Sequence, residues 1–510
     1  MRKAVKEQII QLLATLQEAH VELRKQLRRK EYDNVRAILS DCQEGAVLIG
    51  NTIEQANPEQ TDIIARLEAY CESLFIVHEE LDKEDRPDDA EIKQKLDEQI
   101  KKISEDVKRN IRVILKVVFM PYKASMWTSL ESVWRAANED EECEAKVVVM
   151  PYYTLDSRYR KTRVVYEASL FPEYVPITHY SQFDPAAELP DMILIHNPYD
   201  DTNNVTRVPE QYYSYHLKKY TDMLVYSPYG MMGYYNPNVG SNMCCANAVE
   251  YADKVLVQSE KVKRIYMDHG VAADKLLALG SPKVDAIVEN LHKQPAYPEG
   301  WEEKLQGRKV FLLNTHLSYF IESYNFTLKY PGKRDYAKRH HTAIFDQLLN
   351  REGCAFIWRP HPLMKTTLES REMYETLNFV LELERRIQES DNGVLDTTGD
   401  YNIAFGLSDA LITTYSSMIP EYMISGKPIY IYQRRYNAEN SRNAPVDYTN
   451  NYYKAKWGAE PQFPKFIDMV LKGEDPLYQE RMADVHRAFS NLDGTIGRNV
   501  YRKLKEEIRR

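Results

Sequence analysis

AFIWRPHPLM (355–364) and, after a helical span, TTGDYNIAFGLSDALITTYSSMIPEYMISGKPIYIYQ (397–433) contain three short apolar runs that end in polar, turn-forming residues. The runs are Phe356–Trp358, Ala410–Thr413 and Pro428–Tyr432. Helical patterns separate them, which is the rhythm of a parallel βαβ sheet. Ligands of such sheets sit off the carboxyl ends of the strands. Arg359, Pro360 and His361 stand where the first strand should end, and Tyr415, Ser416 and Ser417 where the second should end. A helix is expected to start there, over 418–425, and its first N–H groups would be free to meet an anion. An imidazole, a guanidinium and a serine-tipped helix converging on one spot predict phosphate chemistry.

The same alternation extends outward. A second sheet should open at Val310–Leu313. Before it, strands are expected at 112–119, 146–150, 192–195, 223–226 and 255–258, with helices between or after them near 211–219, 243–252 and 260–269. The Pro- and Gly-bearing stretch 280–309 reads as the crossover between two sheets. Residues 1–107 differ: Ile9, Leu12, Leu13, Leu16, Val21, Leu23 and Leu27 recur at helical spacing. Further helices are expected over 33–56, 61–84 and 89–109, with a turn at 86–89, giving an antiparallel bundle or long hairpin. The tail from about 476 is helical and charged. The predicted organisation is a bundle (1–107), an α/β domain (110–290), a second α/β domain (308–475) and terminal helices (476–510).

A chain of 510 residues exceeds what one core sustains, in keeping with several domains. A net charge of −9 argues against a nucleic-acid binder relying on a broad basic surface. Thirty-seven Tyr against 14 Phe supply flat, hydrogen-bonding walls of the kind sugar and nucleotide sites use, although partly buried surface aromatics are the plainer explanation. The six Cys show no CxxC pair and no zinc spacing, so reduced thiols in a cytoplasmic protein are expected. The opening residues are charged and amphipathic rather than signal-like, and no run of about 18 apolar residues occurs.

RPHP at 359–362, SDALITTYSS at 408–417, then Glu421 and Gly426–Lys427–Pro428 resemble the C-terminal half of the CDP-glycerol glycerophosphotransferases, with the resemblance spanning about 220–480. It implies a GT-B-like fold, with two Rossmann-type parallel-sheet domains facing a cleft. It also implies an enzyme that moves glycerol phosphate, or a related polyol phosphate, from a CDP-activated donor to an acceptor hydroxyl in teichoic-acid-like polymer synthesis. The nucleotide would occupy the C-terminal domain and a lipid-linked or polymer acceptor the N-terminal one, placing the enzyme at the inner membrane face. Thr414 stands where family members usually carry Asp. Gly280, Pro282, Lys283 and Asp285 fit a GxPR-then-acidic motif with Lys for Arg. In LVYSPYGMMG (224–233), Tyr229 stands where the family's WHGTPLK-like motif has its general-base His.

The expected catalytic set is His361, Arg359, His196 and Tyr229; the expected donor-binding set is Ser416, Ser417, Glu421, His316, Gly399 and Asp400. His361 and Arg359 would steady charge on the departing nucleotide. Ser416 and Ser417 would hold phosphate, with an unliganded N-cap serine as the plain alternative. Glu421, one helical turn on, would reach ribose hydroxyls, and Gly399–Asp400 would form a loop over the base. Tyrosine, with a reference pKa of about 10, is a poor base. His196, in ILIHNPYDD, and His316, in FLLNTHLSYF, are therefore the candidate replacements, each with a structural role as its alternative. Asp200, Asp201 and Asn203 read as turn caps. No metal and no separate cofactor are expected, and GxxxxGK[ST], HExxH and GxSxG are absent. Two other functions compete: a GT-B glycosyltransferase using a sugar nucleotide, and a non-catalytic nucleotide-binding scaffold. Residues 1–107 are the expected route to a homo-oligomer or a membrane surface, with Arg24, Lys25, Arg28, Arg29 and Lys30 as a lipid-facing candidate.

Overall fold

Apolar residues three and four apart make the start of the chain helical, as the computed structural model describes for residues 1–81, 83, 88–156, 158–233, 243–293, 295–432, 445–446, 452–454 and 462–509. Helices α1 (Lys3–Arg29), α2 (Tyr32–Ala56), α3 (Thr61–Glu80) and α4 (Asp89–Asn110) follow one another. Ile9, Leu13, Leu16, Leu23 and Leu27 of α1 and Ile92, Leu96, Ile100, Ile103 and Val107 of α4 are buried at that spacing. Each of α1 and α3 packs on both α2 and α4, closing a four-helix ring. His20, wholly buried on α1, is satisfied by Asp97 at 2.8 Å and the Tyr70 hydroxyl at 2.7 Å. Asp88 and Glu91 cap α4 reciprocally. Arg86 and Pro87 of the expected turn lie outside the described residues. The bundle, with residues up to Val117 and 140–144, is one compact unit, and the rest of the chain is the other.

Ten strands come next: β1 (Leu115–Met120), β2 (Cys143–Val148), β3 (Tyr152–Leu155), β4 (Lys161–Val165), β5 (Ile177–Thr178), β6 (Met192–Ile195), β7 (Thr206–Arg207), β8 (Met223–Tyr226), β9 (Lys254–Leu256) and β10 (Leu276–Leu277). Seven of them form a sheet in the order β10-β9-β8-β6-β1-β2-β5, while β4-β3-β7 is a small antiparallel sheet that the sequence reading did not anticipate. The second lobe holds β11 (Lys309–Thr315), β12 (Cys354–Pro360), β13 (Gly393–Leu395), β14 (Ala410–Thr413), β15 (Ile429–Ile431) and β16 (Tyr453–Lys454) in the all-parallel order β13-β12-β11-β14-β15-β16.

Both large sheets start centrally, wind to one edge and then return to wind to the other, which is the doubly wound Rossmann order. The direction reverses between β1 and β6 in the first sheet and between β11 and β14 in the second. Strand interiors such as Phe311–Leu313, Phe356–Trp358 and Leu411–Ile412 are fully buried, as parallel strands covered on both faces must be. The register sets Asn314 opposite both Arg359 and Thr413, so β12, β11 and β14 end level.

The terminal helices Tyr478–Ala488 and Ile496–Ile508 return to the first lobe rather than standing apart. Asp285 accepts the N–H groups of Ile496 and Gly497 at 3.1 and 2.8 Å, and Lys254 pairs with Glu507 at 2.5 Å. Lys283, just beyond β10, meets Glu421, just beyond β14, at 2.6 Å, so the carboxyl edges of the two sheets face each other there. The architecture is α/β and GT-B-like: two Rossmann-type lobes preceded by a helical bundle. Among the described residues no helix is long and apolar enough to cross a membrane.

Candidate functional site

The second sheet's switch point collects the residues that leave β11, β12 and β14. His316 follows β11, and its backbone N–H donates to Thr414 Oγ1 at 3.0 Å. His361 follows β12, and the two imidazoles stand edge to face with centroids 5.7 Å apart. The Thr413 and Ser416 hydroxyls are 3.2 Å apart. One ledge thus brings together His361, His316 and Ser416. Thr414, where the family usually has Asp, keeps the loop in place without adding a charge.

The two histidines are held alike. Ser318 N–H donates to His316 Nδ1 at 3.2 Å, and Leu363 N–H donates to His361 Nδ1 at 3.1 Å. With Nδ1 accepting, a neutral ring carries its proton on Nε2. Desolvation lowers both pKa values below the usual histidine range, and for His361 the neighbouring His316 adds to the effect. At neutral pH the ledge therefore presents two Nε2–H donors. Neither ring is set up as a base.

Several expectations are corrected. Arg359 does not offer a free fork: Nη1 pairs with buried Asp396 at 2.6 Å and Nη2 donates to the Thr398 carbonyl at 2.9 Å. Its work is to pin the loop beyond β13. That loop carries Gly399, which has open space around it, and Asp400, which accepts from Asn402 N–H at 2.9 Å to start the helix Asn402–Leu407. Glu421 does not face outward beside Ser417. It is buried, and its Oε1 accepts from Lys283 Nζ at 2.6 Å while that ammonium lies 5.3 Å from the Tyr401 ring centroid. The helix after β14 runs only over Met418–Met423, and exposed Ser417 starts it without a side-chain cap.

His196 is not in the cleft. It is fully buried, Nε2 accepts Tyr122 N–H at 3.1 Å, and Nδ1 lies 3.2 Å from Ser129 Oγ and 3.3 Å from the Met126 carbonyl. Burial lowers its pKa to about 3, so it is a neutral core ring that ties β6 to β1. Tyr229 is half-buried off β8, and burial, with Tyr199 and Tyr122 nearby, raises its hydroxyl far above the ordinary phenol value. Even less of it is deprotonated at neutral pH than of a free tyrosine, so it is a less available base. Asn203 Oδ1 accepts Val205 and Thr206 N–H at 2.8 and 3.1 Å, as a turn cap does, whereas Asp200 accepts the N–H and hydroxyl of the distant Ser214 instead of capping its own turn.

Partners 37 to 138 residues away, Asp396 for Arg359 and Lys283 for Glu421, carry no local signal in the sequence. Two further polar atoms, Ser281 Oγ and Asn402 Oδ1, are buried without a hydrogen-bond partner among the described residues.

The family model of CDP-Glycerol:Poly(glycerophosphate) glycerophosphotransferase matches residues 231–506, more than half of the chain. Teichoic acid poly(ribitol-phosphate) polymerase of Bacillus spizizenii is 22% identical over 250 residues, 48% of this chain and 36% of that protein, so the match spans about a third of the relative. Among solved structures, a variant of the wall teichoic acid polymerase TagF is similar at TM-score 0.47 and 12% identity, over 88% of this chain and 98% of that one. The UDP-GlcNAc 2-epimerase of Neisseria meningitidis bound to UDP-GlcNAc is similar at TM-score 0.46 and 14% identity, over 77% and 100%. The chain belongs to the CDP-glycerol:poly(glycerophosphate) glycerophosphotransferase family.

Proposed function

We propose that this chain is a transferase moving glycerol phosphate, or a related polyol phosphate, from a CDP-activated donor to an acceptor hydroxyl in teichoic-acid-type polymer synthesis. The observation that carries the reading is the His316–His361 pair, two Nε2–H donors at a Rossmann switch point inside the family-matched region. Donors fixed on the bridging and terminal oxygens of the diphosphate stabilise the charge that develops as CMP leaves. Ser416 and Ser417 add hydroxyl and backbone groups beside them, and Gly399–Asp400, held by Arg359, borders the base. Ser281 Oγ and Asn402 Oδ1, buried and unpartnered, suit a polar ligand.

The names of the relatives support the donor class. One is a poly(ribitol-phosphate) polymerase, and TagF has been soaked with CDPG. The donor brings its own activated phosphate, so no separate cofactor is assigned. The acceptor, a lipid-linked or polymer chain, belongs to the carboxyl edge of the first sheet, and a lipid-linked acceptor would bring the protein to the inner membrane leaflet. Tyr229 at the family's histidine position favours keeping one other reading, a sugar-nucleotide glycosyltransferase.

Thermal shift with CDP-glycerol, CDP-ribitol, CDP and UDP-GlcNAc separates them. At a hundredfold excess over Kd a donor adds about 2.7 kcal/mol of stability, a readily measured rise in Tm. Stabilisation by CDP-polyols and CDP is the expected result, and stabilisation by UDP-GlcNAc alone overturns it. Replacing His361 with Ala should lower turnover by about 100-fold, as losing one oxyanion-type donor does.

A further inference from the structure

The proposed transfer needs a group to take the acceptor's proton, and His196, His316, His361 and Tyr229 do not supply one. His196 is sealed in the core, His316 and His361 present N–H rather than a lone pair, and the Tyr229 hydroxyl is held protonated. The first sheet has its own switch point, between β1 and β6. Tyr122 N–H bonds to His196 Nε2 at 3.1 Å, Ser227 N–H to the Ile195 carbonyl at 2.9 Å, and Ser227 Oγ to the Ser129 carbonyl at 2.6 Å. These bonds gather the ends of β1, β6 and β8 at one place. Lys123 and Tyr229 both leave it, on the edge that faces the second lobe at Lys283–Glu421.

Lys123 is unusual there. Its ammonium lies 5.5 Å from the Tyr122 ring centroid and 5.2 Å from that of Tyr152, and among the described residues it makes no hydrogen bond or ion pair. Glu167 is close but committed elsewhere: it accepts the Tyr152 hydroxyl at 2.6 Å and Ala124 N–H at 2.9 Å. The two ring faces attract the ammonium, but a buried amine left without a hydrogen-bonded carboxylate gives up its proton more readily than an exposed one.

We propose that Lys123 is the general base of this enzyme, accepting the proton of the acceptor hydroxyl. The inference rests on the transferase reading above. In the step, the acceptor O–H bond breaks and its proton goes to the Nζ lone pair. The freed oxygen bonds to the polyol-bearing phosphorus, and the phosphorus–oxygen bond to CMP breaks, its electron pair leaving on the CMP phosphate. Burial lowers the Lys123 pKa below the ordinary lysine value, while Glu167 pulls the other way. The titratable groups around it are Glu167, Tyr122 and Tyr152, with His196 and, through Tyr122, Tyr199 and Tyr229 beyond them.

The test follows CMP release from CDP-glycerol with a synthetic tri(glycerol phosphate) primer, together with the Tm shift given by CDP-glycerol. Lys123→Met and Lys123→Arg should both lose about 100-fold or more in kcat, since Arg keeps the charge but does not give up its proton. Both should keep the donor-induced shift. Glu167→Gln, which leaves Lys123 in place, should move the rising, acid-side limb of the pH–rate profile, where the base loses its proton, to lower pH. Recovery of the wild-type rate by Arg, an active Met variant, or an unmoved limb in Glu167→Gln overturns the assignment. A wild-type protein that neither binds nor consumes CDP-glycerol overturns the donor reading itself.

Discussion

His196 and His341 show what a single buried side chain does to this molecule. Burial holds their pKa values at about 3 and about 4. Above pH of about 6.5 both rings are neutral folded or unfolded and contribute nothing. Below it, the unfolded chain binds protons that the native rings refuse. Stability therefore falls with pH, by about 1.4 kcal/mol per pH unit for each ring, down to pH of about 4. Asp200, raised to about 6 by burial, opposes one of them from pH of about 6 down to about 4, because its native form takes up a proton first. Two rings outweigh one carboxyl, so a net loss on acidification is expected. In His196→Gln the denaturation midpoint should fall less steeply between pH 6.5 and 4; an unchanged slope would show that the ring titrates freely. These roles were only half legible beforehand. ILIHNPYDD placed His196 correctly at a strand end, but whether it faced the cleft or the core depended on Ser129 and Tyr122, far off in the chain.

At the scale of elements, the terminal helix is held by an approach only glycine permits. A Cβ on Gly497 would lie 2.2 Å from the backbone carbon of Ser132, in the helix Thr128–Asn138. Gly497→Ala must push the helices apart and loosen the Asp285 bonds to Ile496 and Gly497 N–H. Overpacking of this kind costs about 1–3 kcal/mol, to be read as a lowered urea midpoint. An unaltered midpoint would mean that the tail is not docked there. Element identity and the strand-ending residues were legible because period-2, continuous-apolar and period-3.6 patterns are local. The bundle helices start and stop close to expectation, the exception being a third helix that ends at Glu80 rather than Glu84. The length of the helix after β14 was not legible, because Gly426 turns the chain at positive φ after a single short run.

Across the whole molecule, one contact that joins the lobes is a buried ion pair, Lys283–Glu421. Lys283→Met strands a carboxylate in the interior, and losses of this type run to about 3–5 kcal/mol. Pairing it with Glu421→Leu should recover most of the loss, because two apolar groups need no partner. If the double variant is as unstable as the single one, the pair does not stand alone but supports a wider polar network. Urea unfolding of the second unit's fluorescence signal distinguishes the two.

By itself the sequence determined the α/β alternation, the helical start, the family and the set of strand ends at which ligand-facing residues emerge, because each is written in neighbouring residues. Only the tertiary structure decided which of those residues are free. Arg359 and Glu421 are taken by Asp396 and Lys283, the imidazoles of His316 and His361 are turned into N–H donors, and Lys123 is left with no hydrogen-bonded or ion-paired partner among the described residues. The physical reason is that a side chain's availability is set by hydrogen-bond and ion-pair partners brought in from distant strands, and parallel sheets bring them in by crossovers that no local pattern encodes.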